Sequence, residues 1–260
     1  MFNQKLNDKF TSDLKEYCKG KRVLLVGNAA SLFNHEYGKL IDSYDVVVRF
    51  GKGLPNRAHL VHLGKKTDVW FFGSLRASMF QRWVDVPFQV YNYMQINMYD
   101  PNCSVLNIPA CVTTGGFQVY ENFFILGNFA EHVRLMTKIY EKPTKNWKLA
   151  PRLSQGALGF LYFDEVINTH SQLDLIGFDF FESEINYNYK GNEKTVNSWH
   201  VPIPSFNSDQ PHPHGGSKEK EYILKRISES EGKIKLYPMD TKIKQDVVDM
   251  LLTAFRPLIK

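Results

Sequence analysis

The chain has 260 residues, 43% of them hydrophobic and 23% charged, which is enough to build the core of one large α/β domain and excludes a low-complexity or disordered chain. Its formal net charge of +5 suits a phosphate- or carboxylate-bearing ligand and is too small and too scattered for a nucleic-acid surface. Cys18, Cys103 and Cys111 stand at irregular spacing, with no Cys-x-x-Cys pair, so reduced thiols are expected rather than a disulfide framework or a zinc site.

Residues 3–19 have the spacing of a short amphipathic helix closed by Gly20. This stretch lacks the apolar core of a signal peptide, and no run reaches the roughly 18 apolar residues of a membrane span, so a cytoplasmic chain with no transmembrane segment is expected. An apolar run at 22–26 ends in Gly27-Asn28 and predicts a buried first strand with a turn at its carboxyl end. A short helix or turn over 37–42 follows, then strands over 44–50 and 67–72 and a candidate fourth over 88–93. Helical spacing returns at 117–140 and at 154–169, the second opened by Ser154 as cap. A strand over 173–179 comes next. Residues 182–213 are polar and rich in Asn, Pro and Tyr, and read as a long loop or lid. A helix over 217–230, a strand over 233–237 and a helix over 244–255 close the chain.

Strands alternate with helices, and no linker or repeat interrupts them. The expectation is one domain over 1–260, a Rossmann-like, doubly wound, mostly parallel sheet with helices on both faces and a lid-like loop. Such sheets bind ligands outside the carboxyl ends of their strands. Gly27-Asn28, Phe50-Gly51, Gly73-Ser74 and Gly177-Phe178-Asp179 all fall at predicted strand ends, which points to one shared cleft.

The first strand-end motif, VLLVGNAASL at 23–32, has one glycine where a dinucleotide fingerprint needs G-x-G-x-x-G, which argues against a nucleotide-dependent oxidoreductase. Asn28 and Ser31 instead offer side-chain hydrogen bonds from the turn. Val112-Thr113-Thr114-Gly115-Gly116 precedes a predicted helix. It reads either as an anion site built on Thr114 and Gly115 or as an ordinary N-cap at Thr114. Asp179 reads equally as a nucleotide contact or as a loop pin. In Pro211-His212-Pro213-His214 the histidines fit a general base, with two solvated loop histidines or a poor metal site as rivals.

Three blocks in order resemble the CMP-sialic acid-dependent sialyltransferases. VLLVGNAASLFNHEYGKLIDSYDVVVRF resembles the large sialyl motif of the animal-type family, and its G-N-x-x-S-L turn and the segment His62-Leu63-Gly64-Lys65-Lys66 are similar to the bacterial family. LSQGALGFLYFDEVINTHSQLDLIGFDFF resembles the small motif, and His214 followed five residues later by Glu219 resembles the very small motif. The resemblance implies a GT-A-like sialyltransferase fold, a CMP-activated sugar as donor and a glycan as acceptor. It implies donor contacts at Gly27, Asn28, Ser31, Arg49, Gly51, Ser154, Gln155, Gly156 and Asp179, with Thr114 and Gly115 as a variant small-motif segment. It makes His214 the general base, Glu219 a structural or orienting residue, and Tyr187, Tyr189 and His200 candidates for the departing phosphate. The sequence departs from the family pattern at Gly51, where Asn is usual, at Gln155, where Thr is usual, and at Gly216.

The implied chemistry is self-consistent. A CMP leaving group carries one phosphate, and the chain holds no Asp-x-Asp, so no cofactor and no metal is expected. Direct attack by a hydroxyl deprotonated by His214 would invert the anomeric centre. The alternatives are a CMP-Kdo-dependent transferase of the same fold and a nucleotide-binding module without catalysis. Oligomeric state and acceptor linkage have no sequence signal.

Overall fold

The first strand, β1 (Arg22–Val26), is apolar at every position after Arg22, as a strand covered on both faces requires. The computed structural model describes residues 4–50, 53, 55, 59–72, 110–113, 134–135, 137–140, 153–189, 192–196 and 216–259. In it β1 pairs in parallel with β2 (Val46–Phe50) on one side and β5 (Gln172–Ile176) on the other. With β3 (Val69–Phe72), β4 (Ala110–Thr113) and β8 (Ile234–Leu236) they form a parallel sheet in the order β4-β3-β2-β1-β5-β8. β6 (Ile185–Tyr189) and β7 (Asn192–Val196) form a separate antiparallel hairpin.

Strand alternation splits the core into two layers. Val23, Leu25, Val46, Val48, Leu173 and Leu175 face α1 (Gln4–Cys18), α4 (Gln155–Leu161), the π-helical turn Tyr162–Ile167 that continues it, and α5 (Gly216–Glu229). Leu24, Val26, Val47 and Ile176 face the 3-10 turn Ala30–Asn34, α2 (Gly38–Asp42), α3 (Leu60–Leu63) and α6 (Gln245–Ile259). A buried polar network runs through the second layer. Asp174 in β5 accepts from the Tyr44 hydroxyl and from Gln172 Nε2 at 3.0 and 2.8 Å, and the Tyr44 hydroxyl is 2.7 Å from that of Tyr237. The network ties the start of β2, the middle of β5 and the end of β8.

The doubly wound α/β architecture agrees with the sequence, as do the strands β1, β2, β3, β5 and β8 and the helix opened by Ser154. Two differences stand out. The stretch 182–213, expected to be a loop, contains the hairpin β6–β7: INYNY alternates apolar and polar positions as a strand does, and the Asn- and Pro-rich surroundings masked it. The short elements β4 and α3, four residues each, were not expected, because so few residues give no periodic signal. The candidate strand at 88–93, residues 197–213 and most of the predicted helix 117–140 lie outside the described residues, although 134–135 are helical.

His59 packs edge-on against Phe33, ring centroids 5.0 Å apart, and is buried. Burial pushes its pKa from 6.5 down to about 4, with the nearby His62 acting in the same direction. A depressed histidine favours the folded state above pH 6.5, and that advantage is lost as pH falls through about 4, because the unfolded chain takes up the proton first. Thermal melts between pH 7 and pH 4 should therefore show a steeper drop in Tm for the native chain than for His59→Leu. Parallel profiles would remove His59 as a source of acid sensitivity.

Candidate active site

From β1 the chain builds outward through β2, β3 and β4, then returns through α4 to place β5 on the other side of β1. The strand order thus reverses between β1 and β5, where open α/β sheets form their ligand crevice. The two strand ends nearly touch. Gly27 N donates to Ile176 O at 2.8 Å and Ala29 N to Gly177 O at 3.3 Å. A Cβ on Gly27 would lie 2.1 Å from the Gly177 carbonyl oxygen, so only glycine allows this approach. Gly177 has φ +72°, the left-handed region, and turns the chain away from the sheet at that point.

Asn28 follows at the mouth of the crevice. It is half-buried, and its Nδ2 donates to Phe50 O at 3.0 Å, joining the carboxyl ends of β1 and β2. Phe178 fills the other side. Its ring would meet a Cβ on Gly27 at 3.0 Å and one on Gly156 at 2.9 Å, and it stands edge-on to Phe50 at 5.9 Å. One aromatic ring therefore stands between the first-strand turn and the start of α4, and glycine at 156 leaves it room. Sequence reasoning did not single out Phe178 as a site builder; its signal was the glycine immediately before it at a strand end.

Ser154 caps α4. Its Oγ accepts from Ala157 N at 3.0 Å and donates to Glu219 Oε2 at 2.7 Å, while Ser154 N donates to Glu219 Oε1 at 2.6 Å. Glu219 lies in the first turn of α5 and is buried. Burial pushes its pKa up, and the two bonds from Ser154 hold part of that rise back. The bonds join the second and third sequence blocks covalently far apart in the chain. They leave the amides of Gln155 and Gly156, the first two of the helix, with no intrahelical carbonyl to meet. Gln155 and Gly156 are both partly exposed.

Three expected donor contacts are buried and bonded to the protein's own groups. Arg49 is fully buried on the second face of the sheet, where its guanidinium donates to Leu63 O at 2.6 Å, Lys66 O at 3.1 Å and Thr67 Oγ1 at 3.0 Å. A cation so enclosed holds the α3–β3 connection. Ser31 is fully buried, its Oγ 3.5 Å from Asp179 Oδ2. Asp179 is a loop pin: it accepts from Phe181 N at 3.1 Å, Ser183 N at 3.2 Å and the Ser183 hydroxyl. Those bonds hold Phe180 and Phe181 at φ +54° and +67°, a costly conformation for two successive aromatic residues. Burial raises the pKa of Asp179, and its hydrogen bonds oppose the rise.

Tyr187 and Tyr189 lie on β6, in register with Lys194 and Asn192 of β7. His214, two residues before α5, and His200, Gly51, Thr114 and Gly115 lie outside the described residues. Among the described residues no group of three or more His, Cys, Asp or Glu side chains is placed to hold a metal ion, and no helix is long and apolar enough to cross a membrane.

The family model of glycosyltransferase family 29 (sialyltransferase) matches residues 2–225. Among solved structures, a mammalian sialyltransferase in complex with Gal-beta-1-3GalNAc-ortho-nitrophenol is similar at 17% identity, covering 90% of this chain and 80% of its own, with a TM-score of 0.44. A second structure of a mammalian sialyltransferase gives 17% identity, 92% and 81% coverage and a TM-score of 0.45. The sialyltransferase CST-II, as a variant in complex with CMP, gives 12% identity, 83% and 81% coverage and a TM-score of 0.50, a likeness of fold. The search of curated proteins gave no significant match.

Gly27→Ala would drive a methyl group into the Gly177 carbonyl, so β1 and β5 must part. Overpacking of this kind costs about 1–3 kcal/mol. The expected outcome is a lower urea midpoint together with loss of ligand binding in the crevice. An unchanged midpoint would show that the two strand ends do not meet as described.

Proposed function

Because the chain belongs to glycosyltransferase family 29, the sialyltransferases, we propose that it transfers sialic acid from its CMP donor to a glycan hydroxyl, with inversion, without a metal, and with His214 as general base. The observation that carries the reading is the convergence on Phe178. The turn after β1 and the start of α4, the parts that resemble the family's two nucleotide-contacting motifs, meet at the switch point of the sheet.

The charges already present favour one orientation of the donor. Glu219 sits at the amino end of α4, where a helix dipole would otherwise attract an anion. A second anion there would be repelled, whereas neutral ribose hydroxyls and a cytosine ring can use the Gln155 and Gly156 amides. The phosphate then falls beside the turn at Asn28, away from that carboxylate.

The base follows from the same contact. His214 lies two residues before α5, and the Ser154–Glu219 bonds tie the first turn of α5 to the cap of α4. A neutral imidazole carried on that connection can take the proton of the acceptor hydroxyl as it attacks the anomeric carbon, a contribution on the order of 10²–10⁴ in rate. Tyr187 and Tyr189 would donate to the phosphate as charge develops on it, with His200 as a third donor. A single phosphate needs less neutralisation than a diphosphate, which makes a divalent cation dispensable.

Four measurements test the reading. CMP should raise Tm, and cytidine should raise it less; Asn28→Ala should narrow that gap, whereas Ser154→Ala should weaken both ligands alike. Equal narrowing by the two variants would refute the proposed orientation. His214→Ala should abolish transfer and keep CMP binding, and full activity in that variant would move the base elsewhere. Excess EDTA should leave the rate unchanged. A panel of CMP-Neu5Ac and CMP-Kdo, read by CMP release, distinguishes the donor; preference for the second would assign Kdo transfer.

A further inference from the structure

The family match ends at residue 225, and the chain continues through β8 and α6. What these residues touch is specific. β8 pairs with β5, and Tyr237 N extends the pairing to Leu175 O at 2.8 Å. The connection that follows is fastened to Asn34, the last residue of the 3-10 turn that begins two positions after Asn28. Asn34 Nδ2 donates to Asp240 O and Lys242 O, both at 3.0 Å, and its Oδ1 accepts from Lys244 N at 3.0 Å. Lys244 Nζ donates to Asn34 O at 2.7 Å. A single buried side chain thus meets three backbone groups of the 240–244 turn and fixes where α6 begins.

From that start α6 reaches the hairpin. Val247 and Leu251 are buried in one cluster with Ile185, the first residue of β6, and with Leu32 and Ile176 beside the crevice. Positions 187 and 189 follow on the same strand, separated from Ile185 by the strand's period of two. Of the other helical residues in this cluster, Leu63 lies on the β2 side, where its carbonyl accepts from Arg49, and Leu32 lies against Gly177 at the end of β5.

We propose that α6 is a brace that sets the hairpin β6–β7 relative to the Asn28 turn, making Ile185, Val247 and Leu251 positioning residues for the phosphate-directed tyrosines at 187 and 189. The inference rests on the reading of those tyrosines given above. The brace acts on the departing phosphate alone. It should therefore alter kcat and leave ground-state binding of CMP nearly untouched, the signature of an interaction made in the transition state.

The test is a double-mutant cycle in the full chain, combining Leu251→Ala with Tyr187→Phe, and separately with Tyr189→Phe. The readouts are kcat per folded molecule, KM for the CMP donor and the Kd of CMP. At least one tyrosine variant should lose about tenfold or more in kcat. Leu251→Ala should lose several-fold in kcat, with the Kd of CMP within about twofold, and the pair should be little slower than the tyrosine variant alone. If Leu251→Ala compromises folding, Val247→Ala and Leu251→Val remove less volume and carry the same expectation. Unchanged kcat in both tyrosine variants removes the tyrosine assignment, and this inference with it. Slow tyrosine variants beside a Leu251→Ala enzyme of full kcat, or losses that multiply in the double variant, overturn the brace and leave the tyrosines in place.

Discussion

The near-contact of Gly27 with Gly177 is the constraint on which the site depends. It closes the gap between β1 and β5 at the point where the strand order reverses. Phe178 packs beside Gly27 and Leu32 beside Gly177, and the Phe178 ring in turn leaves no room for a side chain at 156. Three positions far apart in sequence are therefore fixed by one steric arrangement, and the crevice is a consequence of it. The Ser154–Glu219 pair then brings α5 to the same place through hydrogen bonds that a buried carboxylate cannot easily exchange for water. Packing holds the donor side, and a charged cap holds the side that leads to His214.

The division of labour among the polar residues follows burial. Arg49, Ser31 and Asp179 stand within motifs that resemble ligand-binding ones, yet each is spent on the protein itself. Arg49 holds the approach to β3, and Asp179 holds two left-handed phenylalanines in a turn. Asn28, Gln155 and Gly156 keep some exposure and lie where the strands end.

This explains how much could be read before the structure. The apolar run Val23–Val26 and the largely apolar segment Leu173–Ile176 announce buried parallel strands, and Ser154 announces a helix start, because these signals are local. The orientation of Arg49 is not local: alternation along β2 sends it toward α3, a four-residue helix with no periodicity to detect. Asp179 could not be resolved between two roles from its neighbours, since the decision comes from Ser183 folding back on it. Phe178 was visible as a residue but not as a wedge, because its partners are the missing Cβ atoms of residues 27 and 156. The hairpin was obscured by composition, its alternation lying inside a polar stretch that resembles a loop.

β8 has a consequence for synthesis. It covers the outer edge of β5, a strand whose own residues border the crevice. A growing chain emerges amino end first, so β5 leaves the ribosome about sixty residues before its last neighbour. During that interval a ladder of unpaired amides and carbonyls beside an apolar layer is open to any passing strand. The nascent protein is most vulnerable to mispairing just after its donor-side motifs have been translated, and the short, lysine-bearing strand that arrives at the end is what closes the window.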